Sequence, residues 1–508
     1  MTPLLLIPLG IMGALLLCAA CTVYNQYTYW KKRKTLHLEL VPVLGHNYPI
    51  FFGLSSFVTH SLNLYKRHPK ARYYGMFDFR KPAIVVKDLE LIRDICIKNF
   101  DNFMDHEPFV TEEMDPIAGC NLFSLCGQKW KNSRRTLSPS YTAPRMKLLF
   151  DLMSECSHDF VRYFVENPQA AKDFQARDIF TRYANDVIAT SAFGVKVNSL
   201  KDRNNEFYAY GQSATSVGKP LWILKIVLLL NFPRIMRLFG TTFFPKATNR
   251  FFKRLIEETI RTRKENGIIR LDMLQLLIKA MDNKTSDFDI TMDNVVGHSL
   301  IFFIAGFETT SNLMSFLALE LAANRDIQDK LYHEIDKQFG NDGKITYESL
   351  TELKYLDMVV TEALRKYPLA SMTNRRCTKD CTLPPPMEGY PELRVEKDTV
   401  VMIPIYAIHH NPQYYPNPEK FDPDRFSETN KSTIQPYTYL PFGIGPRQCI
   451  GNRFALMEIK IVIVHLLQKF VLKFSEKTQY PVEYSKRSFS LTAADGIWLK
   501  MEERKKNN

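Results

Sequence analysis

A single cysteine lies in a glycine-rich segment that leads directly into a predicted helix. The segment is Pro-Phe-Gly-Ile-Gly-Pro-Arg-Gln-Cys-Ile-Gly, residues 441–451, and its cysteine is Cys449. Gly443, Gly445 and Gly451 allow backbone geometries and close approaches that side chains would block. Such a loop can lay a flat cofactor against its backbone and point amide N–H groups at a thiolate sulfur. The helix that follows also favours a thiolate through its N-terminal dipole.

Arg447 and Gln448 indicate which class of cofactor this segment can bind. Arg447 supplies a fixed positive charge for an acidic group on the edge of a cofactor. The dinucleotide-binding pattern Gly-x-Gly-x-x-Gly fails, because Gln448 occupies the place of the third glycine. A lone cysteine is most often a small buried hydrophobe, but the broken backbone around Cys449 favours a ligand role instead.

A second group of polar residues interrupts an apolar run earlier in the chain. It is Ala-Gly-Phe-Glu-Thr-Thr, residues 305–310. Gly306 inside a helix costs about 1 kcal/mol relative to alanine, so its presence needs a reason. The acidic Glu308 and the hydroxyl-bearing Thr309 also need an explanation, because they lie in an otherwise apolar predicted helix. One explanation is structural, with Thr309 hydrogen-bonded to its own helix backbone and Glu308 paired elsewhere.

The cysteine segment resembles the haem-binding loop of the cytochrome P450 family. The family pattern F-x-x-G-x-R-x-C-x-G is met at five fixed positions: Phe442, Gly445, Arg447, Cys449 and Gly451. The resemblance implies that Cys449 is the axial thiolate ligand of haem iron. Thiolate ligation pushes electron density onto the iron and favours O–O cleavage.

Three further segments resemble the same family. Residues 305–310 are similar to its oxygen-binding segment, which implies that Thr309 hydrogen-bonds the dioxygen being activated and that Glu308 helps to pass protons inward to a dry site. The segment Trp-Lys-Asn-Ser-Arg-Arg resembles the family's W-x-x-x-R, which implies a haem propionate bound by Trp130 and Arg134. The family often places another propionate-binding arginine where Arg375 stands, although Arg376 is adjacent and leaves that assignment open.

Glu362 and Arg365 form an E-x-x-R pair on one face of a predicted helix. With Arg425 they resemble the family's buried Glu-Arg-Arg network, which supports the cysteine loop. The residue before Arg425 is Asp424 here, where the family usually has glutamate. The resemblance implies a structural role for these residues rather than a catalytic one.

Around these residues the pattern is mostly helical. Apolar spacing predicts helices over 144–166, 248–265, 292–324, 328–339, 347–367 and 452–467. Alternating segments predict short strands over 81–88 and 496–502. We therefore expect a mainly α structure with small β-sheets, and the resemblance implies the cytochrome P450 fold in a single large haem domain, residues 46–508.

The N-terminal residues 1–24 are predicted to form a transmembrane signal anchor. Residues 3–23 carry no charge and are long enough to span a bilayer as a helix. The basic cluster at 31–34 follows them, so the positive-inside rule places the rest of the chain in the cytosol. A cleaved signal peptide is the alternative, but no basic segment precedes the long apolar run. We expect an anchor in the endoplasmic reticulum membrane and a basic, aromatic linker over residues 25–45.

A second apolar segment, residues 219–240, contains scattered basic residues. These charges interrupt it too often for a second membrane span. It is either a buried helix or a surface segment that dips into the lipid headgroup layer.

Charge and cysteine content limit the partners. The formal net charge of +13 suits nucleic acid, an anionic membrane or an acidic protein. The basic residues are dispersed and no nucleic-acid-reading module is evident, so we expect no nucleic acid partner. The irregular cysteine spacing favours a reducing compartment over a disulfide framework. Cys377 and Cys381 lack the further ligands that a structural zinc site needs.

The resemblance implies a microsomal haem-thiolate monooxygenase that is similar to the clan of drug- and insecticide-oxidising members. Its substrate would be lipophilic: a xenobiotic, a steroid or a fatty-acid-like molecule. The sequence carries no flavin or nicotinamide motif, so electrons from NADPH would come through NADPH–cytochrome P450 reductase, with cytochrome b5 as a further partner. Two alternatives stay open: a reductase-independent isomerase or dehydratase, and a non-catalytic membrane haem sensor. The residues expected in the substrate pocket are Ile301, Phe302, Ile304, Ala305, Ala370 and Thr373, with the segments 103–122 and 491–493.

Overall fold

Helices account for most of the described chain. A computed structural model describes residues 3–215, 224–226, 228–229, 232–270, 272–282, 290–340, 343–488 and 490–505. Its contacts divide the chain into two units, each described by itself below. Unit 1 comprises Met1–Glu107, Ser371–Ile408 and Ile444–Pro446. Unit 2 comprises Pro108–Ala370, His409–Gly443 and Arg447–Asn508.

The α-helices follow the chain in this order: α1 Pro3–Lys32, α2 Tyr48–Phe51, α3 Phe57–Lys66, α4 Leu89–Arg93, α5 Gly127–Leu137, α6 Ala143–Glu166, α7 Pro168–Ala171, α8 Ala176–Ile188, α9 Glu206–Thr215, α10 Pro233–Leu238, α11 Lys246–Glu265, α12 Met273–Asp282, α13 Met292–Ala323, α14 Arg325–Phe339, α15 Tyr347–Glu352, α16 Lys354–Lys366, α17 Ile405–His409 and α18 Asn452–Lys469. Short π-helical turns extend α4 and α8, over Asp94–Lys98 and Ala189–Phe193. Short 3-10 turns lie at Phe100–Asn102, Ser138–Tyr141, Pro423–Phe426, Lys431–Thr433 and Gly445–Arg447.

The strands form three small sheets. The strands are β1 Tyr73–Asp78, β2 Lys81–Val86, β3 Phe174–Gln175, β4 Thr373–Arg376, β5 Cys381–Leu383, β6 Leu393–Val395, β7 Val400–Ile403, β8 Phe470–Phe474 and β9 Trp498–Glu503. Unit 1 contains the four-stranded sheet, in the order β1-β2-β7-β4, and the pair β5-β6. Unit 2 contains the three-stranded sheet, in the order β3-β9-β8. The prediction of a mainly helical structure with small sheets is confirmed.

Five of the six predicted helices and both predicted strands are confirmed to within a few residues, but the prediction of one helix over 347–367 is wrong. The chain leaves helical geometry at Leu353, where ψ is 87°, and two helices result. The carboxylate of Glu334, on α14, accepts the N–H groups of Tyr355 and Leu356 at 2.7 and 2.9 Å. The apolar spacing continues through the break, because this spacing depends on which side chains are buried and not on whether the backbone stays helical. The side chain that caps the second helix comes from elsewhere in the chain.

Helix α13 is the central helix of unit 2. Thr291 and Asn294 form a capping box at its start, so the helix begins with satisfied amide groups. Among the described residues it is the helix that is long and apolar enough to cross a membrane by length and composition. However, 61% of its most apolar stretch is buried inside the protein, as expected of a core helix.

The C-terminal end of α1 is packed into unit 1. The predicted linker, residues 25–45, therefore begins as helix, since α1 continues to Lys32. Trp30 is only 2% exposed, and its indole N–H donates to the carbonyl oxygen of Met76, on β1, at 3.0 Å. A Cβ atom on Gly75 would lie 2.6 Å from the Trp30 ring, so only glycine allows this approach. Arg33 and Tyr29 both bind the carboxylate of Glu396.

Part of the segment 219–240 lies outside the described residues, namely 219–223, 227, 230 and 231. In the described remainder, Leu238 and Phe239 at the end of α10 are largely exposed. Ile226 and Leu229 are buried. The described residues therefore include both apolar side chains that pack inside unit 2 and apolar side chains that face outward.

We predict that Gly75→Ala destabilises the protein by about 1–3 kcal/mol, because the added methyl group overlaps the Trp30 ring. The measurement is thermal unfolding of the haem-loaded, full-length protein in detergent. The same substitution in a Trp30→Leu background removes the overlap and should cost clearly less. Equal losses in the two backgrounds would show that the ring does not constrain Gly75.

Candidate active site

The loop around Cys449 in unit 2 is held by its own backbone. The Cys449 N–H donates to the carbonyl oxygen of Phe442 at 2.9 Å, which closes the loop. Gly443 adopts a φ of +75°, a left-handed conformation that side chains disfavour. Gly451 is the N-cap residue of α18, and its amide N–H points at the Cys449 sulfur. The loop thus delivers a helix N-terminus to the thiol, as the sequence predicts.

The electrostatics of this thiol combine opposing effects. The Cys449 side chain is accessible, yet protein surrounds it closely enough for burial to raise the pKa of the thiol. The Gly451 N–H and the positive charge of Arg134 oppose that increase in the pKa. A coordinated metal ion deprotonates a cysteine outright, so the loop is suited to a thiolate that forms on binding the metal.

Trp130 and Arg447, both predicted to bind the cofactor, contact each other in unit 2. The Arg447 guanidinium lies over the Trp130 ring, with Cζ 3.9 Å from the ring centroid. It also donates to the carbonyl oxygen of Leu125 at 3.0 Å. Arg134, one helical turn after Trp130 on α5, is half-buried and forms no ion pair with any described residue. These contacts orient positive charges beside the cysteine loop without neutralising Arg134.

In unit 1, Arg375 is distinguished from its neighbour Arg376. Arg376 forms ion pairs with Asp105 at 3.4 Å and Asp398 at 3.8 Å. Arg375 is 1% exposed and donates to the carbonyl oxygens of Asn374 at 2.8 Å and Ile444 at 3.0 Å, and Nδ1 of His106 lies 3.4 Å from its Nη1. Its Nε has no hydrogen-bond partner, and no described carboxylate lies within ion-pairing distance. A buried guanidinium without a carboxylate partner suits an anionic ligand group, which favours Arg375 over the ion-paired Arg376.

Gly445 also belongs to unit 1 and has a steric reason to be glycine. It adopts a φ of +75°. A Cβ atom there would lie 2.1 Å from the carbonyl oxygen of Cys96. No side chain fits this approach, so the glycine in the family pattern at this position is a packing requirement.

Helix α13 presents one accessible face within an otherwise buried helix. Ile301, Phe302 and Ile304 are partly accessible and Ala305 is exposed, although most of the helix is buried. Residues spaced by three and four share a helical face, so Thr309 lies on the same face as Ala305. The four pocket-lining residues expected on α13 are therefore among those that this core helix leaves accessible.

Gly306 is explained by helix packing. A Cβ atom at Gly306 would lie 2.4 Å from Cδ1 of Ile188, at the end of α8. Helix α8 packs along α13 in unit 2, and the missing side chain lets the two helices approach at this point. The helix-propensity cost of this glycine is therefore offset by the close packing that it permits.

Thr309 and Glu308 have structural partners, as the structural explanation expects. The Thr309 hydroxyl donates to the carbonyl oxygen of Ala305 at 2.5 Å. Glu308 accepts from the Ser490 hydroxyl at 2.6 Å and pairs with Arg177 at 3.2 Å. Arg177 is 43% exposed, whereas Glu308 is 17% exposed. The carboxylate therefore connects the accessible face of α13 with a side chain that reaches solvent.

The Glu362–Arg365 pair lies completely buried in unit 2. Arg365 donates to both carboxylate oxygens of Glu362, at 2.7 and 2.8 Å, and both side chains are 0% exposed. Arg425 lies 3.5 Å from the same carboxylate, and the N–H of Asp422 donates to it at 3.0 Å. The three residues of the predicted Glu-Arg-Arg network are therefore brought together.

His409 connects this network to the start of the cysteine loop. Arg365 donates to the His409 carbonyl oxygen at 3.0 Å. Burial, helped by the charge of Arg365, lowers the pKa of His409 to about 3, so the imidazole is neutral. Its Nδ1 donates to the Arg365 carbonyl oxygen and its Nε2 accepts the Leu440 N–H at 2.8 Å.

Sequence reasoning missed His409, Arg177 and Ser490. His409 follows a buried apolar strand and helix, and a polar residue there is a signal that could have been used. Arg177 and Ser490 lie more than a hundred residues from Glu308 in the chain, and no local pattern marks them.

The sequence matches the family model described as Cytochrome P450 over residues 42–499. The chain belongs to the cytochrome P450 family. Cytochrome P450 9e2 of Blattella germanica is 43% identical over 507 residues, covering 94% of this chain and 94% of that protein. Cytochrome P450 9c1 of Drosophila melanogaster is 36% identical over 504 residues, covering 95% of this chain and 96% of that protein. Cytochrome P450 6k1 of Blattella germanica is 36% identical over 511 residues, covering 97% and 96%.

The family membership confirms the resemblance and the cofactor. Cytochromes P450 are oxidoreductases that bind haem iron through a thiolate and act as monooxygenases. The residues present fit that group. In unit 2 an accessible thiol lies beside an amide N–H and a cation, and in unit 1 a buried arginine has an unsatisfied N–H.

We predict that Glu362→Gln destabilises this P450 by about 3–5 kcal/mol, because it leaves the buried Arg365 charge uncompensated. The protein should also lose its ability to retain haem, since Arg365 supports the loop through His409. The measurements are the unfolding midpoint and the haem-to-protein ratio after purification.

The matched control is Glu428→Gln. Glu428 pairs with Lys354 at 2.7 Å, but the two side chains are 84% and 76% exposed. The same chemical change there should leave both measurements unaffected. Similar behaviour of the two variants would contradict a special role for the buried pair.

Proposed function

We propose that this P450 inserts one oxygen atom from O2 into a lipophilic substrate and reduces the other atom to water. The observation that carries the proposal is the accessible face of α13, where apolar side chains adjoin Glu308 and Thr309. An apolar surface next to a proton-carrying pair suits a hydrophobic substrate held near acid–base groups. The likeness to the clan of drug- and insecticide-oxidising members supports a xenobiotic substrate. A steroid or a fatty-acid-like molecule is lipophilic in the same way.

The residues that would hold the haem follow from the site. Cys449 would bind the haem iron, with Phe442, Gly445 and Gly451 shaping its loop. When bound, a thiolate-ligated haem supplies the O–O cleavage chemistry. The proposed propionate-binding residues are Trp130, Arg134, Arg375 and Arg447. The buried, unsatisfied guanidinium of Arg375 and the Arg447–Trp130 stack support this assignment.

Glu308 and Thr309 are the proposed catalytic residues. Glu308 can exchange protons with solvent beside the half-exposed Arg177, and Ser490 holds its Oε1. The Thr309 hydroxyl keeps lone pairs that can accept a proton while it donates to Ala305. A proton can then pass from the carboxyl group to the hydroxyl on the accessible face. Arg177 and Ser490 act as positioning residues for the Glu308 carboxylate.

The electrons are proposed to come from NADPH through NADPH–cytochrome P450 reductase, with cytochrome b5 as an additional donor. The sequence has no flavin or nicotinamide motif of its own. The net charge of +13 favours electrostatic steering towards an acidic partner.

We also propose that residues 1–24 anchor the protein in the endoplasmic reticulum membrane, followed by the segment 25–45 and the cytosolic haem-thiolate domain 46–508. Helix α1 has the length that a span requires, and its tyrosines and basic residues end it as a membrane interface would. The packing of Trp30 into unit 1 means that the anchor joins this unit through helix.

Two alternative functions account for fewer observations. A haem-thiolate isomerase or dehydratase needs neither oxygen activation nor a reductase, so it gives no reason for Glu308 and Thr309. A membrane haem sensor likewise gives no reason for a proton path. The isomerase is kept as the competing outcome of the experiment that follows.

We predict that the purified protein, supplied with reductase, NADPH and labelled dioxygen, forms products that carry one labelled oxygen atom. A panel of lipophilic compounds is incubated and the products are weighed by mass spectrometry. Thr309→Ala should abolish most labelled product while retaining the haem spectrum. Products that form without reductase and carry no label would refute the monooxygenase and identify an isomerase.

We predict that Glu308→Gln lowers kcat about 100-fold with little change in KM, because the amide cannot relay a proton. Ser490→Ala is the matched control, since it removes one hydrogen bond to Glu308 and leaves the titratable carboxyl group. It should lower kcat much less. A Glu308→Gln enzyme with normal kcat would exclude Glu308 from the proton path.

A further inference from the structure

Two cysteines that the proposed reaction does not use lie side by side in unit 1. The Cys377 sulfur lies 3.0 Å from the carbonyl oxygen of Lys379 and 4.0 Å from that of Val395. Val395 is in turn the cross-strand partner of Cys381 in the β5–β6 pair. Both cysteines therefore adjoin Val395, Cys377 through its sulfur and Cys381 through its place on the neighbouring strand. The segment between them is a turn of three residues.

The two thiols differ in exposure and in acidity. Cys377 is fully buried, whereas Cys381 is partly accessible. The neighbouring Cys377, aided by Asn102, lowers the pKa of Cys381 against the effect of burial. The same contact and burial raise the pKa of Cys377. The pair therefore contains one accessible thiol with a lowered pKa and one protected thiol beside it.

We propose that Cys381 and Cys377 form a peroxide-reactive dithiol that closes reversibly to a disulfide. An accessible, acidic cysteine next to a second thiol is the arrangement of redox-sensing sites. In a reducing compartment such a disulfide is transient, so both residues remain thiols until an oxidant arrives. The site is independent of the haem chemistry proposed above.

The oxidation proceeds in two balanced steps. The Cys381 thiolate attacks one oxygen of hydrogen peroxide and the O–O bond breaks, giving a sulfenic acid and, after proton uptake, water. The Cys377 sulfur then attacks the Cys381 sulfur, and the S–O bond breaks as the S–S bond forms. The Cys377 proton leaves with the oxygen as a second water. Two thiols lose two electrons, one peroxide becomes two waters, and an external dithiol reverses the change.

The fold supports closure at this point. Two backbone N–H groups of a neighbouring segment hold the turn. The Asp398 N–H donates to the Cys377 carbonyl oxygen at 2.8 Å, and the Lys397 N–H donates to the Asp380 carboxylate at 2.9 Å. Neighbouring thiols can also bind a metal ion. However, the described residues contain no group of three or more His, Cys, Asp or Glu side chains that could hold one. A two-cysteine pair without further ligands favours redox chemistry over zinc.

The test uses the full-length, haem-loaded protein, reduced, freed of reductant and treated with hydrogen peroxide. After alkylation, trypsin cuts behind Lys379 and separates the two cysteines into peptides 377–379 and 380–394. We expect a cross-linked peptide pair, two hydrogens lighter than the sum of its parts, which disappears with dithiothreitol. It should form about tenfold faster than any oxidation product of Cys156, because burial raises the pKa of the Cys156 thiol.

Variants separate the two roles. Cys381→Ser should abolish the cross-link and leave Cys377 unreactive, whereas Cys377→Ser should leave a sulfenic acid on Cys381 that dimedone traps. Cys156→Ser is the control and should leave the cross-link unchanged. Oxidation of Cys381 directly to sulfonic acid, without any cross-link in the unsubstituted protein, would overturn the proposal.

A measurement on the unsubstituted protein covers the case in which Cys377→Ser fails to fold. Under native conditions a maleimide should label Cys381 about tenfold faster than Cys377, because reactivity follows thiolate character and exposure. Equal labelling rates would show that the two thiols lack the asymmetry on which the proposal depends.

Discussion

The cysteine loop depends on a buried ion pair some eighty residues earlier in the chain. A proline- and glycine-rich loop lies outside the longer helices and the sheets, so contacts elsewhere add to the Cys449–Phe442 hydrogen bond in fixing its shape. Glu362 neutralises Arg365 in the interior, and Arg365 uses its remaining N–H groups on carbonyl oxygens, including that of His409. The neutral His409 then fixes Leu440, just before the loop. Burying two charges is costly, and here it yields a defined loop geometry.

The central helix α13 serves the core and the proposed chemistry at once. Its Gly306 permits close packing of α8, and its Glu308 and Thr309 side chains have structural partners. Satisfied hydrogen bonds do not exclude a catalytic role, because a buried acid or alcohol must be satisfied in the resting protein. The partners differ from ordinary core contacts in one respect. Arg177 reaches solvent, so the Glu308 carboxylate is connected to a source of protons.

Unit 1 shows how contacts distant in sequence create specific environments. Trp30 reaches β1 only because Gly75 has no side chain there, which makes the end of α1 part of the unit. Cys377 and Cys381 are separated by only three residues, yet one is fully buried and the other is partly accessible. Arg375 and Arg376 are adjacent in sequence, yet only the second has carboxylate partners.

The sequence by itself determined what lies within one element: the helix periods, the E-x-x-R pair and the spacing of the Cys449 loop. These are short-range properties, because side chains three or four residues apart share a helical face and a loop carries its own glycines. Tertiary structure alone decided the break at Leu353, which of Arg375 and Arg376 has carboxylate partners, and the partners of Glu308. Each of those depends on a side chain that packing brings from a distant segment, and apolar periodicity records which face is buried without recording what covers it.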